Sequence, residues 1–189
     1  RGQDVLAANA GVATYKCAQI ASGAVYKYTD PNNPAAGRET IRLHDYKTDL
    51  LEEVIDEVGG AQVLVLYSYH HDVDRISKRF PHARIAKKDP TAIADFKRGK
   101  LRMLLGHPAS MAHGLNLQSG GNVIIWYSMT PDAEWWEQAI KRLHRGMITE
   151  PVYIYYLVAR GTVDERFMEI VADKVEDQNE LMLRFSGLH

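Results

Sequence analysis

The sequence predicts an α/β domain built on a mostly parallel sheet, and three observations carry that prediction. Short, almost continuous apolar runs recur at 61–67 (AQVLVLY), 101–105 (LRMLL), 122–127 (NVIIWY) and 151–159 (PVYIYYLVA). Runs of that kind mark strands buried on both faces. Segments with helical spacing lie between them, and strand and helix alternate about five times, for which parallel strands with right-handed helical crossovers are the economical arrangement. The length, 189 residues, suits one compact domain or one domain with a helical appendage. A chain of this size buries roughly 70% of its unfolded surface.

In chain order, residues 4–26 mix Ala, Val and Leu with few breakers and read as helix. A loop follows from Tyr28 to Thr40, marked by Pro31, Asn32, Asn33, Pro34 and Gly37. Residues 44–58 form an amphipathic helix with Leu50, Leu51, Val54, Ile55 and Val58 inward. Gly59 and Gly60 end it as a left-handed cap does. After the strand at 61–67 come a polar helix at 71–80, a short strand at 83–86 and a short helix at 90–98 with Ile93 and Phe96 inward. Strands at 101–105 and 122–127, a helix at 131–145, a strand at 151–159 and a closing helix at 162–184 complete the order. The first 60 residues break the alternation; residues 1–43 read as a helical lead-in and loop, leaving 44–189 as the main domain.

Composition sets limits on function. Hydrophobic content is 46%, charged content 25% and net charge −1, so the whole-chain balance announces no nucleic-acid binder, although a local basic face can still act as one. The single cysteine, Cys17, allows no internal disulfide and fits a reducing compartment; it reads as a small buried hydrophobe. No apolar run spans a bilayer, so no membrane partner is expected. The chain begins at Arg1 and reads as part of something larger. His70, His71, His107 and His113 match no zinc spacing, and no metal ligands are expected. One or more of Trp126, Trp135 and Trp136 belong to the core, and the charged stretch from Asp164 to Glu180 reads as the solvated face of the last helix.

Three segments can carry chemistry. In the 131–145 helix, Thr130 and Pro131 form the start, and Trp136, Ile140 and Leu143 share one face. Gln138, Arg142 and Arg145 have the same four-then-three spacing on the nearly opposite side. Two guanidinium groups aimed one way suit a polyanion such as a triphosphate, because each binds phosphate oxygens in bidentate fashion. A solvated helix face carrying two arginines has the same pattern. The second segment is Gly106-His107-Pro108-Ala109-Ser110-Met111-Ala112-His113-Gly114-Leu115-Asn116-Leu117, which leaves the end of a parallel strand, where open α/β sheets place ligands. The third is Ser68-Tyr69-His70-His71 at the end of 61–67, able to touch a nucleic-acid backbone or to cap the next helix.

The order of these pieces resembles motifs IV, V and VI of the Swi/Snf-type superfamily-two ATPases, phage and bacterial members above all. The matching runs are VLVLYSYHHDVDRI, LLGHPASMAHGLNLQ and VIIWYSMTPDAEWWEQAIKRLHRGMITEPVYIYYLVARGTVDER, within about residues 44–175. Gln138-Ala139, Arg142, His144 and Arg145, then Thr149, Pro151, Val152 and Gly161-Thr162-Val163, are the most specific, with the GLNL run at 114–117 close behind. The resemblance implies a RecA-like three-layer α/β/α lobe, the C-terminal one of two that sandwich ATP while DNA lies across both. It implies that Arg145 is the arginine finger, Arg142 assists it and Gln138 couples nucleotide to DNA. Gly114 and Asn116 would meet the nucleotide, and Ser68, Tyr69, His107 and Ser110 would meet DNA, most simply double-stranded. ATP and Mg²⁺ would be held mainly by the other lobe, since this chain has neither G-x-x-x-x-G-K-[ST] nor D-E-x-H; none is expected tightly bound here. The partner would be the N-terminal RecA-like lobe of the same polypeptide, in the cytoplasm of a bacterium or phage-infected host.

Two departures stand out. Gly146-Met147-Ile148 replaces the family's x-Gly-Gln after the finger, which puts that glutamine contact in doubt. Ala112-His113 replaces a Gly-Glu pair before GLNL, which leaves the DNA contacts of that loop open. No room is evident for nucleosome-binding loops, so no chromatin role is expected. Two other classes are open on the residues alone: a non-catalytic RecA-like DNA- or protein-binding module, and a Rossmann-like transferase holding a nucleotide sugar in the 106–117 loop.

Overall fold

A computed structural model describes residues 9–30, 33, 37–111, 121–130 and 152–173. Its element order is α1 (Ala10–Ser22), β1 (Ala24–Tyr28), β2 (Arg38–Arg42), α2 (Tyr46–Glu57), β3 (Val63–Leu66), α3 (His70–Arg79), β4 (Arg84–Ile85), α4 (Ala92–Lys97), β5 (Met103–Gly106), α5 (Pro108–Met111), β6 (Val123–Trp126) and β7 (Tyr153–Tyr156). Residues 163–173 are helical as well. Among these residues no helix is long and apolar enough to cross a membrane.

Five strands form one sheet in the order β4-β5-β3-β6-β7, and every ladder is parallel. The alternation of side chains along each strand sorts the core into two layers. Leu64, Leu66, Leu104, Ile124 and Trp126 pack with Phe96 of α4 and with Phe167 and Val171 of the 163–173 helix. Val63, Val65, Met103, Leu105, Val123 and Ile125 pack with Leu51 and Val54 of α2 and with Val73 and Ile76 of α3. Helices therefore cover both faces, the three-layer RecA-like arrangement expected from continuous apolar strands. Trp126 is in the core, where its indole N–H donates to the Ser128 carbonyl at 3.1 Å.

The N-terminal segment departs from its expected form. The helix read over 4–26 ends at Ser22, and Ala24–Tyr28 is a strand. Most of the expected loop at 28–40 is bracketed by an antiparallel hairpin in which Ala24 pairs with Arg42 and Tyr28 with Arg38. Gly23 makes the switch. Its φ is +105°, its N–H donates to the Gln19 and Ile20 carbonyls, and its own carbonyl accepts from Leu43 and His44. A Cβ at that position would lie 2.4 Å from the His44 carbonyl oxygen, so only glycine fits between helix and hairpin.

Two further expectations are corrected. Cys17 is exposed on α1 rather than buried, because Lys16, Ala18 and Gln19 take the inward positions. Asp164 is fully buried rather than part of a solvated face. It shares the inner stripe of its helix with Phe167 and Val171 and meets Lys47 there.

Candidate functional site

The parallel register brings the C-terminal ends of β3, β5, β6 and β7 to one edge, with Leu66 level with Gly106 and Trp126, and Trp126 level with Tyr156. The turns leaving that edge hold the described site residues. Ser68 follows β3. Its N–H donates to Ser128 Oγ at 2.7 Å and its hydroxyl donates to the Ser128 carbonyl at 3.1 Å. Two neighbouring strand ends are thus tied together at the position expected to face a ligand.

His107 and Ser110 follow β5. Gly106 allows α5 to fold back at once, since a Cβ there would lie 2.4 Å from Met111 Cγ. The His107 Nδ1 accepts from the Ala109 N–H at 3.3 Å, and its carbonyl accepts the Ser110 hydroxyl at 2.9 Å. Burial pushes the imidazole below its ordinary range, with the charges of His70 and Lys87 adding to the effect and a hydrogen bond to the Ser68 backbone opposing it. His107 is therefore neutral at pH 7 and joins the β5 turn to the β3 turn. Ser110 stays exposed.

Tyr69 is placed differently from expectation. Its ring is buried and stacks on His71 at 5.2 Å, and burial pushes its hydroxyl far above the ordinary phenol range. A buried ring cannot offer its hydroxyl to DNA, and Tyr69 serves instead as the N-cap position of α3. Gly114, Asn116, Gln138, Arg142 and Arg145 lie outside the described residues.

Beneath the edge lies a polar cluster that motif reading missed. Asp72, in the first turn of α3, is fully buried; it accepts from the Ser22 hydroxyl at 2.6 Å, from the Tyr69 N–H at 3.1 Å and from Arg75 Nη2 at 3.3 Å. Arg75 also donates to the Ser22 carbonyl, to the His44 carbonyl at 2.9 Å and to the Tyr127 hydroxyl at 3.2 Å. Tyr127 in turn shares a hydrogen bond of 2.8 Å with Thr48. Lys47 Nζ sits 2.5 Å from Asp164 Oδ2, and that oxygen also accepts the Ala159 N–H at 3.0 Å. Burial pushes the Lys47 amine down, and the neighbouring Asp164 carboxylate opposes it. The N-terminal hairpin, α2, α3, the end of β6 and the start of the last helix are thereby locked around one edge of the sheet.

The signal for these residues was helical phase. Lys47 lies four and seven residues before Leu51 and Val54, and Asp164 three and seven before Phe167 and Val171, so both charges sit on apolar stripes. Among the described residues no group of three or more His, Cys, Asp and Glu is placed to hold a metal ion. A cavity of about 380 Å³ opens at the opposite end of the strands, lined by Val63, Met103, Gly59, Gly60 and Arg102, away from this edge.

No family model matches the chain. It is 40% identical over 168 residues to a protein named p41 of Acyrthosiphon pisum secondary endosymbiont phage 1, a match covering 86% of this chain and 35% of that protein. It is 30% identical over 145 residues to the CHD3-type chromatin-remodeling factor PICKLE of Arabidopsis thaliana, covering 68% of this chain and 10% of PICKLE. The chain thus spans about a third of the length of the phage relative and a tenth of the plant one. Among solved structures, the C-terminal part of the Fun30 ATPase domain aligns with TM-score 0.54 and 17% identity, over 66% of this chain and 44% of that one. The C-terminal domain of the DEAD-box protein Dbp5 aligns with TM-score 0.55 and 13% identity, over 71% and 81%. At those identities the structures speak to fold, and the sequence relatives supply the kinship. Taken together, the RecA-like fold and the sequence relatives make this chain a C-terminal RecA-like lobe of the Swi/Snf-type superfamily-two ATPase family.

Proposed function

We propose that the chain is the second motor lobe of an ATP-dependent DNA helicase or translocase, supplying an arginine finger and part of the DNA-binding surface. The observation that carries this reading is the edge itself. The parallel register sets Ser68 and the 107–111 turn side by side at the C-terminal ends of β3 and β5, where α/β sheets take their ligands. Ser110 presents an exposed hydroxyl there, suited to a phosphate oxygen. Ser68 gives its hydroxyl hydrogen to Ser128, which leaves that oxygen as an acceptor and makes Ser68 a positioning residue as much as a contact. His107, neutral, contributes shape and hydrogen bonding rather than charge.

The attractive charge must come from elsewhere, and Arg142 and Arg145 fit that need. In this reading both would meet a triphosphate whose phosphate loop and Mg²⁺ ligands belong to the other lobe. ATP with its metal supplies the phosphoryl-transfer chemistry when bound. This chain supplies guanidinium groups for the developing charge, with Gly114 and Asn116 lining the nucleotide side of the 106–117 loop. Duplex DNA is the favoured partner, and the relatives' printed roles as chromatin-remodelling factors are consistent with an ATPase acting on DNA. The test is ATP turnover by the full-length protein with and without duplex DNA. The reading predicts strong stimulation by DNA, and turnover indifferent to DNA would sink it.

A further inference from the structure

The N-terminal hairpin and α1 bring together two cations, Arg38 and Lys16, that no carboxylate answers among the described residues. Residues directly paired across an antiparallel ladder share a face, so Tyr26, Tyr28, Arg38, Thr40 and Arg42 lie on one side of the hairpin, and Lys27 and Glu39 on the other. The Glu39 carboxylate is thus turned away from Arg38. The Arg38 guanidinium lies 3.9 Å from the centre of the Tyr26 ring. Lys16, reaching over from α1, donates to the Tyr26 carbonyl and sits 5.5 Å from the centre of the Tyr28 ring. Neither Lys16 nor Arg38 forms an ion pair among the described residues, whereas Arg42 is paired with Asp45.

Aromatic faces attract cations but do not neutralise them. The Lys16 amine is pushed below its ordinary range first by burial and then by the Arg38 charge, so the pair is held against its own repulsion. An anion between them would relieve that repulsion. Tyr28, 42% exposed, borders the pair with a flat surface suited to sugar and base. The position fits as well. The Tyr26 hydroxyl accepts the His71 N–H at 3.2 Å, which docks the hairpin on the first turn of α3, directly after Ser68 and Tyr69. The cations therefore extend the edge described above.

We propose that the exposed Arg38, with Tyr28 at the rim and the buried Lys16 amine adding positive potential behind it, forms a further contact for a nucleic-acid phosphate backbone, outside the strand-end turns. This rests on the reading of the chain as a DNA-binding lobe. The test is binding of a labelled 30-base-pair duplex to the full-length protein as salt is varied. Arg38→Glu should weaken binding on the order of tenfold near 0.1 M salt and lower the slope of log affinity against log salt by about one. Arg38→Lys should keep most of the slope, and a thermal melt of each variant checks the fold. A parallel arm uses the Ser68→Ala, Ser110→Ala double variant. If that variant weakens binding while Arg38→Glu matches wild type in affinity and slope, the hairpin contact is overturned and the lobe reading stands. If wild-type protein shows no salt-dependent duplex binding, both fall.

Discussion

Arg145→Ala should lower DNA-stimulated ATP hydrolysis by the full-length protein about 10³–10⁵-fold, the range that arginine fingers supply in phosphoryl transfer. That corresponds to roughly 4–7 kcal/mol of transition-state stabilisation. The expectation follows from helical phase and chemistry together. Trp136, Ile140 and Leu143 claim one side of the 131–145 segment, which leaves Gln138, Arg142 and Arg145 for the other. A guanidinium meets phosphoryl oxygens through a rigid fork, which a lysine ammonium lacks, so Arg145→Lys should recover only a small part of the rate. The loss should fall on kcat with little change in KM for ATP, because the interaction strengthens as charge develops. Steady-state kinetics on the purified variants reads this directly. Turnover unchanged in Arg145→Ala would leave the chain as a non-catalytic module.

Asp72→Ala should destabilise the fold by about 3–5 kcal/mol, the range for breaking a buried ion pair on one side only. Asp72 has no exposed surface, and its loss takes the nearest carboxylate from the Arg75 guanidinium and leaves the His71 ring at 3.1 Å and the Ser22 hydroxyl at 2.6 Å without their acceptor. Urea unfolding monitored by circular dichroism measures the effect. The same carboxylate sets an acid limit. Burial alone would raise its pKa, but the hydrogen bond and charge of His71, with bonds from Ser22 and Ser128, outweigh burial and hold it below the usual carboxylate range. A carboxyl whose folded pKa is depressed stabilises the fold above its unfolded pKa, about 3.9, and that stability is lost as pH falls through the folded value. Wild-type stability should therefore drop as the solution is acidified below about pH 4, and an Asp72→Asn variant should show a shallower acid slope. Equal slopes in the two proteins would show that another group sets the limit.

The centre of the sheet was legible because β3, β5 and β6 each announce themselves twice. VLVL, MLLG and VIIW are apolar at every position, and each is followed by small or polar residues where the chain turns. Only strands covered on both faces need that composition, so the three-layer arrangement followed. The hairpin was less visible. AVYKY continues the Ala and Val content of α1, and the break rests on one glycine whose positive φ composition does not show. Asp164 was misjudged, and Lys47 passed over, for a related reason. Charge suggests solvent, but a charged residue in phase with an apolar stripe is carried inward whenever a partner waits there, and these two wait for each other.

The site divides along the same line. Ser68, His107 and Ser110 lie just after strands, a placement that is readable from sequence. That Tyr69 turns inward was not readable. It depends on His71 and Tyr26, whose rings lie 5.0 Å apart, and on a hairpin that sequence patterning did not reveal. The serine pair 68 and 128 joins segments 60 positions apart, a contact that only the β3–β6 register creates.

The central claim is that this lobe completes an active site rather than containing one. Calorimetric titration of ATP with Mg²⁺ into the isolated 189-residue chain and into the full-length protein tests it most directly. The chain alone should show weak or no binding, and the full-length protein should bind. Tight nucleotide binding by the isolated chain would contradict the claim and point instead to a self-sufficient nucleotide site in the 106–117 loop.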